Sequence, residues 1–334
     1  MKALIQKVVG AFGPSGREDA IRDVIKKEMK GLVDEIREDA MGNLICIKKG
    51  SGARVMVAGH MDEIGIVTTH VSKEGFLSFT SVGGVSPIRC LYKRVVFENG
   101  VRGVIAMEPV KNANEIDFTK LFVDIGARDK SDAEKMLGVG KFGAFSSDFE
   151  VFNDLYASKA MDDRLGCAVM IEAASRLKKT PNEIAFIFTV QEEVGLRGAK
   201  AAAYSYEPDF GIAIDVTGSG DTPEAPKMSM ALRNGVAIKI SDSSLLVPKK
   251  VKEFFVKLAE KNKIKYQMEI LTAGGTDGGA INLTKAGILA GVLSIPTRYV
   301  HSITEVVSKD DVENTVALLV KALETDIKKE LLGK

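Results

Sequence analysis

His60-Met61-Asp62, Asp162-Asp163, Glu192-Glu193, Asp215 and His301 are the residues of this 334-residue chain whose types could do chemistry together. Imidazoles and carboxylates without thiolate suit borderline divalent ions such as Zn²⁺, Co²⁺ or Mn²⁺. A shared carboxylate can hold two such ions about 3.5–4 Å apart, with room for a bridging water. Residues two apart on an extended backbone face the same way, so the Asp62 carboxylate is expected beside the His60 ring, fixing its tautomer. Glu192 and Glu193 have no basic neighbour in sequence. They repel unless a cation binds one or a proton neutralises the other. Alternation sends them to different sides, so one could ligate while the other acts as general base. Taken singly, each feature has an ordinary alternative: a hydrogen-bonded His-x-Asp pair, helix-capping aspartates, solvated glutamates. Together the candidate ligands are His60, Asp162, Glu193, Asp215 and His301, with Asp62 and Glu192 beside them.

Three short apolar runs must deliver these groups. Val55–Ala58 leads into His60, Ile184–Val190 into Glu192-Glu193, and Phe210–Ile214 into Asp215. Runs without alternation read as strands buried on both faces, and ligands gather beyond the carboxyl ends of such strands. His60, Glu192-Glu193 and Asp215 are therefore expected to end strands, and Asp162-Asp163 to stand at the start of a helix. Ser15-Gly16-Arg17-Glu18 has the form of a capping box, opening a helix through about Met29. Asp34–Lys49 reads as a hairpin turning at Met41-Gly42-Asn43. Helices are expected over Arg164–Lys179, stopped by Thr180-Pro181, and over Val251–Lys263 and Lys309–Leu332. Between them the texture changes. Alternating Val and Phe and recurring glycines (Gly75, Gly83-Gly84, Gly100, Gly103), with one helix near Ser131–Leu137, mark residues 67–155 as a β-rich insertion. The fold class is α/β, a mixed sheet covered by helices. Residues 1–66 and 156–334 form one discontinuous domain around the insertion.

Composition narrows the partners. A net charge of +1, from 46 basic and 45 acidic residues, offers no field for nucleic acid or anionic membrane. No apolar run approaches the roughly 18 residues of a membrane span. The opening Met1–Lys7 does not read as a signal peptide, and Cys46, Cys90 and Cys167 are an odd, widely spaced set. A cytoplasmic protein with reduced thiols is expected. The glycine-rich loop Gly274–Gly279 lacks the lysine of a phosphate-binding loop, leaving a close approach to substrate or a simple turn.

The stretches Val57–Gly65, Ala160–Gly166, Val190–Ala199, Gly275–Ile281 and Ile295–Ser302, in this order, resemble the M42 family of metallo-aminopeptidases. The resemblance implies a dinuclear zinc-peptidase fold whose insertion is a dimerisation domain. It implies two metal ions, one held by His60, Asp162 and Asp215, the other by Asp162, Glu193 and His301, with Asp162 bridging. Glu192 would be the general base and Asp62 the partner of His60. Peptide substrates and self-association, to a dimer and to a hollow tetrahedral dodecamer, follow from it. Relatives are expected to show a Gly-Pro pair where this chain has Arg233-Asn234, and a His after Pro109 where it has Val110. The rival functions are a dinuclear deacylase or carboxypeptidase, an endoglucanase using two carboxylates without metal, and a silent binding subunit. Arg89, Arg233 and Arg298 are candidates for attracting acidic substrates or for purely structural roles.

Overall fold

The computed structural model describes residues 1–333. Four parallel strands form its centre, ordered Glu183–Thr189, Arg54–His60, Phe210–Gly218 and Leu289–Arg298. Their side chains are buried on both faces, which is why the runs lack alternation. Val55 and Val57 enter one apolar core, Met56 and Ala58 another. Helices Lys2–Gly10, Met161–Arg176 and Lys309–Glu324 pack together on one face, and Arg197–Tyr206 with Asp277–Asn282 on the other. Phe186, Phe188 and Phe210 are fully buried, each contributing about 1.5–3 kcal/mol.

Seven further strands, all but one joined by antiparallel pairing, extend the centre to eleven. The hairpin Glu35–Glu38 and Leu44–Lys48 flanks Glu183–Thr189, as expected for Asp34–Lys49. On the far side follow Glu305–Ser308, Leu155–Ser158 and Glu150–Phe152. Val236–Ser241 branches from Leu289–Arg298 and carries Tyr266–Ile270. Six further strands, from Gly65–Val71 to Phe142–Phe145, close a separate small barrel. Phe79, Val95, Phe97, Ile105 and Val123 fill it. Its helix Lys130–Met136 is capped by Asp129, which accepts from Asp132 N at 2.9 Å. Cys46, Cys90 and Cys167 are free and buried. Among the described residues no helix is long and apolar enough to cross a membrane.

Several local expectations need correction. The capping box does not form: the helix begins at Asp19, and no side chain caps it. Ser15 instead donates its hydroxyl to Asp62 Oδ2 at 2.6 Å, and Glu18 Oε1 accepts from Gly16 N and Gln191 N. The final amphipathic segment is two pieces, because Thr325 is extended after the helix Lys309–Glu324 and a π-helical turn covers Lys328–Leu332. The helix expected to reach Lys179 stops at Arg176, with Leu177 already extended. Asp215 does not end its strand, which runs on to Gly218.

Candidate metal centre

Neighbouring parallel strands explain why distant residues converge. Thr189 pairs with His60, so Glu192 and Glu193 emerge just beyond the His60 strand end. Ala213 pairs with Ala58, which sets Asp215 level with His60. Asp162 comes from the first turn of the helix Met161–Arg176, where Asp162 and Asp163 have non-helical dihedrals and are joined by a cis peptide bond. His301 follows the Leu289–Arg298 strand, its backbone in the left-handed region at φ 58°.

All five candidate ligands and Glu192 line one cleft of about 630 Å³. Asp162 lies between the two imidazoles: Oδ1 is 3.0 Å from His60 Nε2, and Oδ2 is 3.3 Å from His301 Nε2. Glu193 Oε2 is also 3.3 Å from His301 Nε2, and Glu192 Oε2 is 3.8 Å from His60 Nε2. Potential ligand atoms of His60, Glu192 and Asp215 lie within 4.8 Å of one another, as do those of His60, Asp162 and Glu193. Glu192, expected as base, is therefore also within ligand reach. The two glutamates do point different ways, Glu192 toward His60 and Glu193 toward His301, but from a turn beyond the strand end, after the left-handed Gln191, rather than by strand alternation.

Each imidazole presents Nε2 to the carboxylates because its Nδ1 is occupied. His301 Nδ1 lies 3.0 Å from Gly84 O and His60 Nδ1 lies 3.1 Å from Asp62 O. With Nδ1–H donating to a carbonyl, Nε2 keeps the lone pair a metal needs. The expected partner of His60 is thus displaced: the Asp62 carboxylate is farther, at 3.5 Å, and the backbone oxygen sets the tautomer. The carboxylate faces the glutamates instead, accepting from Glu192 N at 3.0 Å and Glu193 N at 3.2 Å. Gly84 belongs to the barrel side, and a Cβ there would stand 2.5 Å from His301 Nδ1. Close approach is what this glycine permits.

Without a cation the cluster is electrostatically frustrated. Burial, then the charge of Asp162, pushes Glu193 up to about 8. Burial also holds Glu192 and Asp215 well above the carboxylate range, with further repulsion from neighbouring carboxylates. Burial raises Asp162 too, but hydrogen bonds from His301 and His60 outweigh it and bring it down. For His301 burial disfavours the charged ring, yet Asp162 and Glu193 raise it to about 10. Glu193 Oε1 is buried with no hydrogen-bond partner. An orphaned carboxylate oxygen in a cluster of carboxylates and two imidazoles is what divalent cations, taking the place of the Nε2 protons, would satisfy.

Other groups sort differently. His70 is exposed on the barrel. Arg89 donates to Val300 O at 2.8 Å, Arg298 pairs with Asp221 at 2.7 Å and Arg233 with Asp154 at 2.6 Å. These arginines are structural. Gly274, Gly275 and Thr276 line the cleft, so the glycine-rich loop does approach the substrate space. Two contributors were not anticipated. Gly83-Gly84 stood out in the sequence only as part of a glycine-rich texture. Glu305, buried at the head of a strand, accepts from both Asp162 N and His301 N. Its only signal was a carboxylate opening an apolar run four residues after a histidine.

The profile of the M42 glutamyl aminopeptidase family matches residues 42–318. A putative aminopeptidase of Acetivibrio thermocellus is 49% identical over 321 residues, covering 96% of this chain and 97% of the relative. The TET aminopeptidase of a marine sediment Thaumarchaeota archaeon superposes with a TM-score of 0.95 at 33% identity, over 99% of each chain. The Pyrococcus horikoshii TET1 peptidase, which can assemble into a tetrahedron or a large octahedral shell, gives 0.86 at 32% identity, over 96% of this chain and 98% of that one. The fold, the convergent ligands and these similarities agree: the chain belongs to the M42 family of metal-dependent aminopeptidases, enzymes that hydrolyse peptide bonds.

Proposed function

We propose that this aminopeptidase works with two divalent ions, Zn²⁺, Co²⁺ or Mn²⁺, sharing Asp162. The observation that carries this is the placement of one Asp162 oxygen against each imidazole. His60, Asp162 and Asp215 would hold one ion, and Asp162, Glu193 and His301 the other. When bound, the ions polarise the scissile carbonyl and make an attacking water more acidic.

The chain's own groups do the rest. Glu192 projects into the cleft on the His60 side, its backbone N–H anchored by Asp62. Its carboxylate, 3.8 Å from His60 Nε2, is placed to take a proton from the attacking water and pass it to the leaving amine. The acidic cleft offers carboxylates to a free α-ammonium. A glycosidase would leave His60 and His301 without a role. We further place the enzyme in the cytoplasm, acting on peptides, and assign residues 67–155 as the inserted module through which copies pair, on the way to a closed shell.

Replacing Glu192 with Gln should lower turnover by about 10²–10⁴-fold while metal content stays at the wild-type level. Full activity in that variant would remove Glu192 from the role of base.

A further inference from the structure

We propose that Glu305 is a positioning residue that straps Asp162 and His301 together and so sets the affinity of the His301-side metal; this rests on the two-metal reading above. Its two oxygens divide the work. Oε2 accepts from Asp162 N at 3.0 Å, and Oε1 accepts from His301 N at 2.8 Å. Residues 143 and 4 positions away in sequence are thereby fixed to one carboxylate. Glu305 is only 2% exposed, so its geometry is held by packing rather than averaged by solvent.

Both segments need holding. Ala160, just before Asp162, has φ 52°, and Tyr299 and His301 have φ 60° and 58°. Left-handed backbone at residues with a Cβ is unfavourable and persists where surrounding contacts over-determine it. Glu305 touches both strained segments. Arg89 adds a bond to Val300 O at 2.8 Å but does not bond to Asp162.

The arrangement repeats across the centre. Asp62 accepts from Glu192 N and Glu193 N, and Asp163 Oδ2 accepts from His60 N at 3.2 Å. The carboxylates beneath the cleft grip ligand-bearing backbone rather than ligand side chains. Glu305 serves the Asp162–His301 half, where the bridging carboxylate and the more open imidazole meet. His301 is 35% exposed against 2% for His60, so the half that Glu305 serves is the less enclosed one.

Glu305→Gln separates the strap from mere packing. It preserves volume but turns one acceptor oxygen into an NH₂ that faces a backbone N–H. Metal-depleted full-length protein would be titrated calorimetrically with Co²⁺, and kcat and KM measured as Co²⁺ is raised. The expected result is a first Co²⁺ bound as in wild type and a second bound about 10–100-fold more weakly. Excess Co²⁺ should restore most of the lost kcat, with KM little changed. Should Glu305→Gln fail to fold, Glu305→Asp decides, since it keeps the charge but shortens the reach; it too should weaken the second site. Wild-type binding of two Co²⁺ with a folded variant indistinguishable at both sites would overturn this inference alone. Wild type that binds one Co²⁺ would overturn the two-metal reading and the inference with it.

Discussion

The Asp62 carboxylate lies 3.0 Å from the backbone nitrogen of Glu192, closer than to the His60 ring at 3.5 Å. Its second oxygen takes Glu193 N and the Ser15 hydroxyl. Asp62 is thus a clamp on the glutamate turn as well as a neighbour of the imidazole. Asp62→Asn presents an NH₂ to one of these donors and should lower kcat by about 10–100-fold with a smaller effect on KM. Steady-state kinetics with metal analysis on the same samples checks this. Wild-type kcat would show that the turn holds itself.

Glu18 gives a pH-dependent prediction. Burial is the main cause that raises it from 4.5 to about 7. A carboxyl raised on folding binds protons more readily in the native state. Its contribution to stability is therefore best below about 4.5 and declines as pH rises through 7. Because Oε1 alone accepts from Gly16 N and Gln191 N, Glu18→Gln can keep both bonds while losing the desolvated charge. Above pH 8 the variant should be more stable than wild type by about 1–3 kcal/mol, with the difference shrinking near pH 4.5. Urea denaturation of the metal-free proteins at both pH values measures it. A pH-independent difference would contradict the assignment.

The cleft also predicts a preference by charge. Among its described lining residues, Leu271, Ala273, Val216 and Val300 are apolar, Ser243, Ser244 and Thr217 are neutral, and none is Lys or Arg. With the proposed ions taken up by their own ligands, an acidic N-terminal side chain would be buried with no Lys or Arg to pair it, which is costly. Although the family description carries the word glutamyl, neutral N-terminal residues should exceed Glu and Asp by at least about tenfold in kcat/KM, equivalent to about 1.4 kcal/mol. Leucyl, alanyl, glutamyl and aspartyl anilides would decide it. A glutamyl preference would mean a cation reaches the cleft from elsewhere.

Much of the centre was legible because covalent sequence and sheet geometry carry the same information there. Apolar runs without alternation became adjacent parallel strands, and His60, Glu192 and Glu193 lie at their ends. What stayed hidden were choices between equivalent hydrogen-bond partners. Ser15 could cap a helix or bind Asp62; the buried Asp62 carboxylate won it. His60 Nδ1 could face a carboxylate or a carbonyl of the same residue, and the carbonyl is closer. Glu305 reaches the backbone of Asp162 across 143 positions and the Gly84 carbonyl reaches the His301 ring across 217, and local spacing records neither. Thr325 ends the Lys309–Glu324 helix within a pattern whose periodicity continues to Leu332. Tertiary packing settles such breaks, as it routinely overrides local propensity.

The proposal that this metal-dependent aminopeptidase shares Asp162 between two ions stands or falls on metal stoichiometry and substrate end-group. The most direct measurement is hydrolysis of a panel of aminoacyl-anilides, each with a free or an acetylated N-terminus. The protein would be tested metal-depleted and then reloaded with counted equivalents of Co²⁺ or Zn²⁺. The expected outcome is no activity after depletion, recovery that completes at two equivalents, and cleavage confined to free N-termini. Silence across the panel with two equivalents bound, or equal cleavage of acetylated substrates, would contradict it.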